Sequence, residues 1–181
     1  MNVVPTELPG VLIVEPKVFG DARGFFFEAY HQRRYADAGI PGPFVQDNVS
    51  RSVRDTLRGV HYQHPHGQGK LVWVLAGSVF DVAVDVRRGS PTFGKWVGVE
   101  LSDQNRRQLW IPAGFAHGFC VTSESADFAY KCTDVYAPEH EHTVLWNDPR
   151  IGIRWPVEQP RLSPKDAAGK PLAEQASLPA L

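Results

Sequence analysis

Short runs rich in β-branched and aromatic residues recur along the chain, each bounded by Gly, Pro, Asn or Asp: GVLIVEPKVF, GFFFEAY, FVQDNVS, LRGVHYQ, KLVWVLAG, SVFDVAVDV, KWVGVELS, RQLWIPAG, AHGFCVTS, DFAYKCTDVY and HTVLWND. Runs of this length and composition suit strands rather than helices, and their frequency predicts an all-β sandwich or barrel with few short helices. The clearest helical segment is HQRRYADA, about residues 31–38, stopped by Gly39 and Pro41. RGSPTFGKW reads as a turn between two strands. From about Trp155 the Pro-rich tail predicts an irregular wrap that frays after about Lys170.

Side-chain parity then indicates what faces what, because successive residues of a strand point to opposite sides. In SVFDVAVDV, Phe80, Val82, Val84 and Val86 share one face and Asp81, Ala83 and Asp85 the other. Carboxylates along one face fit either a ligand cavity or the solvent surface. In YKCTDVY, Tyr130, Cys132, Asp134 and Tyr136 fall on one side, which sets two phenols along one wall, although strand tyrosines also serve as half-buried packing. Gln46 and Asn48 share parity and could hydrogen-bond one ligand. Arg58 and His61 do not, a conflict that a strand start or bulge at Gly59 would relieve.

With 181 residues, 43% of them hydrophobic, the chain has material for one core, and a single domain spanning residues 1–181 is expected. The formal net charge of -1 offers no general attraction to a nucleic acid polymer, so any anionic ligand has to be held by local charges. No stretch has the apolar length of a membrane span, and MNVVPTE lacks the basic start of a secretory signal; the expectation is a cytoplasmic protein with no membrane partner. Cys120 and Cys132 form no CxxC pair and read as buried, reduced thiols.

Candidate chemistry concentrates in RGVHYQHPHGQGKLVWVLAG, which holds His61, His64 and His66. The order Gly59, His64-Pro65-His66, Lys70, Gly77 resembles the first signature of the cupin β-barrels, and PAGFAHGF, with His117, resembles the second. Metal-binding cupins carry a glutamate ligand where this chain has Lys70. A protonated ammonium offers no lone pair and opposes a dication, so the likeness supports the fold and not a metal. Lys70 suits the stabilisation of negative charge on a substrate oxygen instead. His61 lies in a strand-like segment and is the functional candidate; His64 and His66 flank Pro65 in an exposed loop.

Nearly the whole chain, in order, resembles the sugar-nucleotide 3,5-epimerases. The likeness runs through VFGDARGFFFE, QDNVSRS, LRGVHYQ, GKLVWVLAGSVFDVAVDVRRGSPTFGKW, WIPAGFAHGF, YKCTDVYAPEHE, WNDP and LSPKDAAGK. It implies a double-stranded β-helix, a jelly roll of the cupin type, that works as a homodimer without metal or organic cofactor on dTDP-4-dehydro-6-deoxy-D-glucose. Position by position, it implies His61 as catalytic base, Asp166 as the carboxylate that orients it, Tyr130 as the acid on the opposite side of the sugar, and Lys70 beside the C4 oxygen. Arg23, Glu28, Gln46, Asn48, Arg58, His117, Glu141 and Lys165 match substrate-binding positions, Tyr136 matches an aromatic that stacks on the nucleotide, and Phe26 lines the same site. If strands near the N-terminus pair across subunits, Arg23 and Glu28 would serve the partner's site.

These residue types suit the reaction. A C4 ketone acidifies the protons on C3 and C5, so inversion requires a base on one face, an acid on the other and a stabiliser for the enolate. Guanidinium forks such as Arg23 and Arg58 suit a diphosphate. Other readings remain: a relative that inverts one carbon, a metal cupin using His64, His66 and His117, or a sugar-nucleotide binding module without catalysis.

Overall fold

The computed structural model describes residues 1–181. Two antiparallel sheets face each other. One has the strand order β1 (Asn2–Pro5), β2 (Leu12–Glu15), β10 (Gln108–Ile111), β7 (Lys70–Ala76), β12 (Ser125–Cys132), β5 (Gln46–Val53). The other has the order β13 (Glu141–Thr143), β6 (Leu57–Gln63), β11 (Phe115–Val121), β8 (Ser78–Asp85), β9 (Trp96–Ser102). Chain neighbours are repeatedly placed in different sheets, the crossed connectivity of a jelly roll. A separate hairpin joins β3 (Val18–Asp21) to β4 (Gly24–Phe27). Helix is confined to α1 (Gln32–Asp37), α2 (Pro164–Ala167) and two single 3-10 turns.

The predicted helix at 31–38 is α1, capped by the His31 side chain. It is short because Gly39 turns the chain at once, at φ +87°. Tyr35 and Ile40 fold back onto Val14, Leu71 and Trp110, closing the outer face of the six-stranded sheet. Between the sheets, Val72, Val74, Leu109, Ile111 and Phe128 pack against Val79, Leu101, Phe115, Phe119 and Val121.

The alternation in β8 holds, but neither face is open to solvent. Val82, Val84 and Val86 point outward into a second apolar cluster, while Asp81 and Asp85, both 0% exposed, point between the sheets. Asp85 is buried because it builds the following turn: it accepts from Arg87, Ser90 and Thr92.

The tail departs from expectation in the same region. It stays docked to its end, with Lys170 bridging Val144 and Ala180 bridging Arg88. Leu172 inserts into the outer cluster beside Ile151, and the Leu172 amide donates to the buried Asp148 carboxylate at 2.7 Å. Burial of such a side chain contributes about 1.5–3 kcal/mol, enough to hold a segment that composition alone marks as loose. Tyr62 adds a hydroxyl bond to the Ser177 carbonyl at 2.7 Å.

A bulge does lie at Gly59. His61 pairs with His117 and Arg58 with Phe119, so β6 carries one residue more than β11 between those pairs. Gly59 has φ +123°, and a Cβ there would stand 2.6 Å from the Gly118 Cα. Facing glycines thus let the two backbones touch and turn Arg58 to the same side as His61.

Candidate active site

Polar side chains from both sheets meet at one end of the sandwich and line a cavity of about 690 Å³. The stacked rings of Phe119 and Phe128, with centroids 4.1 Å apart, lie where its wall meets the apolar core. The six-stranded sheet supplies Gln46 and Asn48 from β5, Lys70 from β7, and Tyr130 and Cys132 from β12. The five-stranded sheet supplies Arg58 and His61 from β6, His117 from β11 and Glu141 from β13, and α2 adds Lys165 and Asp166.

His61 and Asp166, 105 residues apart in the chain, form a close pair: the imidazole Nε2 lies 2.5 Å from Asp166 Oδ1. The Asp166 side chain is only 4% exposed. Burial by itself would push its carboxyl up; the hydrogen bond and charge of His61, and the Ser163 hydroxyl donating to Oδ2 at 2.7 Å, prevail and hold it below the ordinary aspartate value. Ser163 is also the N-cap of α2, accepting from the Asp166 amide. Ser163-Pro164-Lys165-Asp166 therefore starts a helix inside the segment expected to be irregular, and its S-x-x-D capping signal could have singled out Ser163 beforehand.

On the other side of His61, Nδ1 is 3.7 Å from Glu141 Oε1. Glu141 Oε2 accepts from Lys165 Nζ at 2.7 Å and from the Tyr136 hydroxyl at 2.9 Å. Burial opposes ionisation of Glu141, but Lys165, His61 and Tyr136 together hold its carboxyl low.

Tyr130 and Lys70 stand on the sheet opposite His61. Burial first, and then the neighbouring Cys132, push the Tyr130 phenol up, which keeps it a protonated donor. Lys70 makes no ion pair; burial pushes its ammonium down, against the pull of Cys132, Glu141 and Asp81. His117 Nε2 is 2.9 Å from the fully buried Asp81, whose carboxyl is raised by burial against the attraction of His117. Asp81 is a second supporting carboxylate; the parity of SVFDVAVDV put it on one face with Asp85 and left open whether that face met a cavity or solvent. Gln46 donates to Asn48 at 3.0 Å, so the shared parity does bring them side by side. Arg58 donates to Ser52.

Other residues named from the sequence lie away from this wall. Arg23, Phe26 and Glu28 do not line the cavity of their own chain. Arg23 and Phe26 sit on the β3–β4 hairpin and Glu28 just beyond it; Arg23 pairs with Asp21 and Glu28 with Arg34. Asp134 is not on the wall with Tyr130, because β12 ends at Cys132 and alternation ends with it. His64 and His66 lie past the end of β6; His66 faces Asp134 at 3.7 Å, and no group of three His, Cys, Asp or Glu side chains is placed to hold a metal ion. Gln68 and Ser50 line the cavity without having been singled out, and Cys132 lies on the same wall as Tyr130, as strand parity expected.

The model of the dTDP-4-dehydrorhamnose 3,5-epimerase family matches residues 5–174. A dTDP-4-dehydrorhamnose 3,5-epimerase of Pseudomonas aeruginosa is 58% identical over 99% of this chain and 100% of its own. The crystal structure of a dTDP-6-deoxy-D-glucose-3,5-epimerase of Legionella pneumophila in complex with dTDP-4-keto-L-rhamnose is 57% identical, with a TM-score of 0.96 over 99% of this chain and 98% of the other. A 3'-monoepimerase of Streptomyces bikiniensis in complex with dTDP-quinovose is 36% identical, with a TM-score of 0.92 over 97% of this chain and 92% of the other.

Proposed function

The chain belongs to the dTDP-4-dehydrorhamnose 3,5-epimerase family, and from that membership we propose a role for each group in its cavity. The protein is an isomerase of the dTDP-rhamnose pathway, which converts dTDP-4-dehydro-6-deoxy-D-glucose to dTDP-4-dehydro-L-rhamnose by inversion at C3 and C5.

His61 takes the proton from the carbon next to the C4 ketone, and the electron pair left behind delocalises onto the C4 oxygen as an enolate. Lys70 stabilises that oxygen. Tyr130, reaching in from the opposite sheet, returns a proton to the other face and so inverts the carbon. Asp166 fixes the imidazole and favours the imidazolium once His61 is protonated. A positioned acid or base contributes roughly 10² to 10⁴ in rate, and a charge-stabilising donor about 3 to 4 kcal/mol, so loss of any one is felt as a large rate defect. Tyr136 stacks on the nucleotide base; Arg58, Lys165 and His117 take the diphosphate and sugar, with Gln46, Asn48 and Glu141 hydrogen-bonding around them.

The observation that carries this assignment is the 2.5 Å His61–Asp166 pair facing Tyr130 and Lys70 across one cavity. The test is incubation of chelator-stripped protein with the substrate in deuterated water. Exchange with inversion at both carbons, lost in His61→Ala, is expected. Inversion at one carbon would overturn the double assignment in favour of a single-carbon epimerase, and dependence on restored metal would overturn the cofactor-free mechanism.

We also propose a cytoplasmic homodimer in which Arg23, Phe26 and Glu28 complete the partner's cavity, supplying rhamnose for surface polysaccharide such as lipopolysaccharide O antigen. Supporting the dimer is the apolar surface left open on one chain: Phe25 is 55%, Phe26 68% and Val49 68% exposed. No helix is long and apolar enough to cross a membrane. A fully active monomer would refute the shared site.

A further inference from the structure

His61 stands between two carboxylates that are held in different ways. Asp166, on Nε2, is buried and accepts from the Ser163 hydroxyl of its own helix cap, three residues back in the chain. Glu141, on the Nδ1 side, is held from outside by two groups at the solvent-facing mouth: the Lys165 ammonium, on a side chain that is 51% exposed, and the Tyr136 hydroxyl, on a residue that is 49% exposed. In the unliganded cavity Glu141 thus shares its charge between Lys165, at 2.7 Å, and the more distant His61, at 3.7 Å. An arriving diphosphate meets the Lys165 ammonium, and an arriving base meets the Tyr136 ring.

We propose that Glu141 is a positioning residue that couples nucleotide diphosphate binding to the proton affinity of His61: the diphosphate competes for Lys165, and the carboxylate thereby unbalanced supports the imidazolium at 3.7 Å. The inference rests on the reading that a dTDP-sugar occupies this cavity. The register makes the coupling direct. β13 runs beside β6, with Thr143 opposite His61 and Glu141 opposite Gln63, so the carboxylate is carried on the strand adjoining the base. The other ionisable groups of the cavity around His61 are Asp166 and Lys165 on α2, His117 on β11, Lys70 on β7, Tyr130 on β12 and Arg58 on its own strand. Of the two carboxylates close to His61, Glu141 is the one that accepts from a lysine ammonium and a tyrosine hydroxyl, while Asp166 accepts from a serine hydroxyl. The base would therefore gain strength when the nucleotide is seated, which ties proton abstraction to the correct substrate.

The experiment follows the His61 imidazole by NMR in histidine-labelled protein, assigned with His61→Asn, with and without dTDP, which lacks the reacting sugar. An opposite charge at this range moves a titration midpoint by about one pH unit or more. The expected result is a rise of about one pH unit on adding dTDP, mostly lost in Glu141→Gln. Free Lys165→Met should already titrate at the raised midpoint and respond little to dTDP, and the double variant should lose that rise. A midpoint that stays put while the thymine resonances report binding, or that rises equally in Glu141→Gln, overturns the coupling alone. Absence of dTDP binding overturns the reading of the cavity and the coupling with it. If Glu141→Gln does not fold, Lys165→Met still decides, since an unchanged midpoint in the free variant contradicts the proposal.

Discussion

Replacing Asp166 by Asn keeps the outline of the side chain and removes its charge. The carboxylate lies 2.5 Å from His61 Nε2 with 4% of its side chain exposed, so water screens it little. An opposite charge in such a position is worth about 1 to 3 pH units of proton affinity to its partner, at about 1.4 kcal/mol per unit. The variant should therefore lose about 1.4 to 4 kcal/mol of support for the imidazolium, a fall of about 10- to 1000-fold in kcat/KM. The amide must also accept a different pattern from Ser163, which now donates to Oδ2, so misorientation of the ring pushes the loss toward the upper end. Exchange at C3 and C5 in deuterated water, measured by proton NMR across substrate concentrations, separates kcat from KM. A rate within threefold of the unmodified protein, or a loss confined to KM, would refute the assignment of Asp166 to the base. A second readout comes from pH. Because the folded protein holds the Asp166 carboxyl below its unfolded value, its contribution to stability is present above the ordinary aspartate range and lost as pH falls through the lower folded value. Asp166→Asn should accordingly show less loss of stability on acidification.

Tyr130→Phe removes the donor and keeps the ring, so inversion should slow by about 10² to 10⁴ while washout of substrate hydrogen into deuterated water, the step assigned to His61, is slowed less; NMR of recovered substrate compares the two. Gly59→Ala should destabilise the fold by about 1 to 3 kcal/mol or more in urea melts and impair catalysis together, because the added Cβ meets the β11 backbone at 2.6 Å and the residue is held at φ +123°. Asp85, lowered to about 2 by its hydrogen bonds to Arg87, Ser90 and Thr92 against the opposing effect of burial, should add about 2 kcal/mol of stability above pH 4 that fades as pH falls toward 2; Asp85→Asn flattens that part of the acid melt.

Much of this arrangement can be read from residue order alone, wherever the cause is local. Alternation along SVFDVAVDV sorts Asp81 and Asp85 from Val82, Val84 and Val86, parity pairs Gln46 with Asn48, and Gly39 ends α1. The clash of parity between Arg58 and His61 even locates the bulge, since only glycine tolerates the required backbone there. These features follow from sterics and hydrogen bonding within a few residues. Tertiary structure decided the rest. Whether the Asp81 face met water or the interior depended on which sheet it packed against. The tail stays down because Leu172 and Asp148 find partners that residue order does not bring near it. Asp166 reaches His61 across 105 residues by the docking of that same tail. Conversely, Arg23, Phe26 and Glu28, though matched by motif, stand on or just beyond a hairpin outside their own cavity. The chemical types of the site belong to the sequence; their convergence is a property of packing, which acts between segments and leaves no periodic trace in either one.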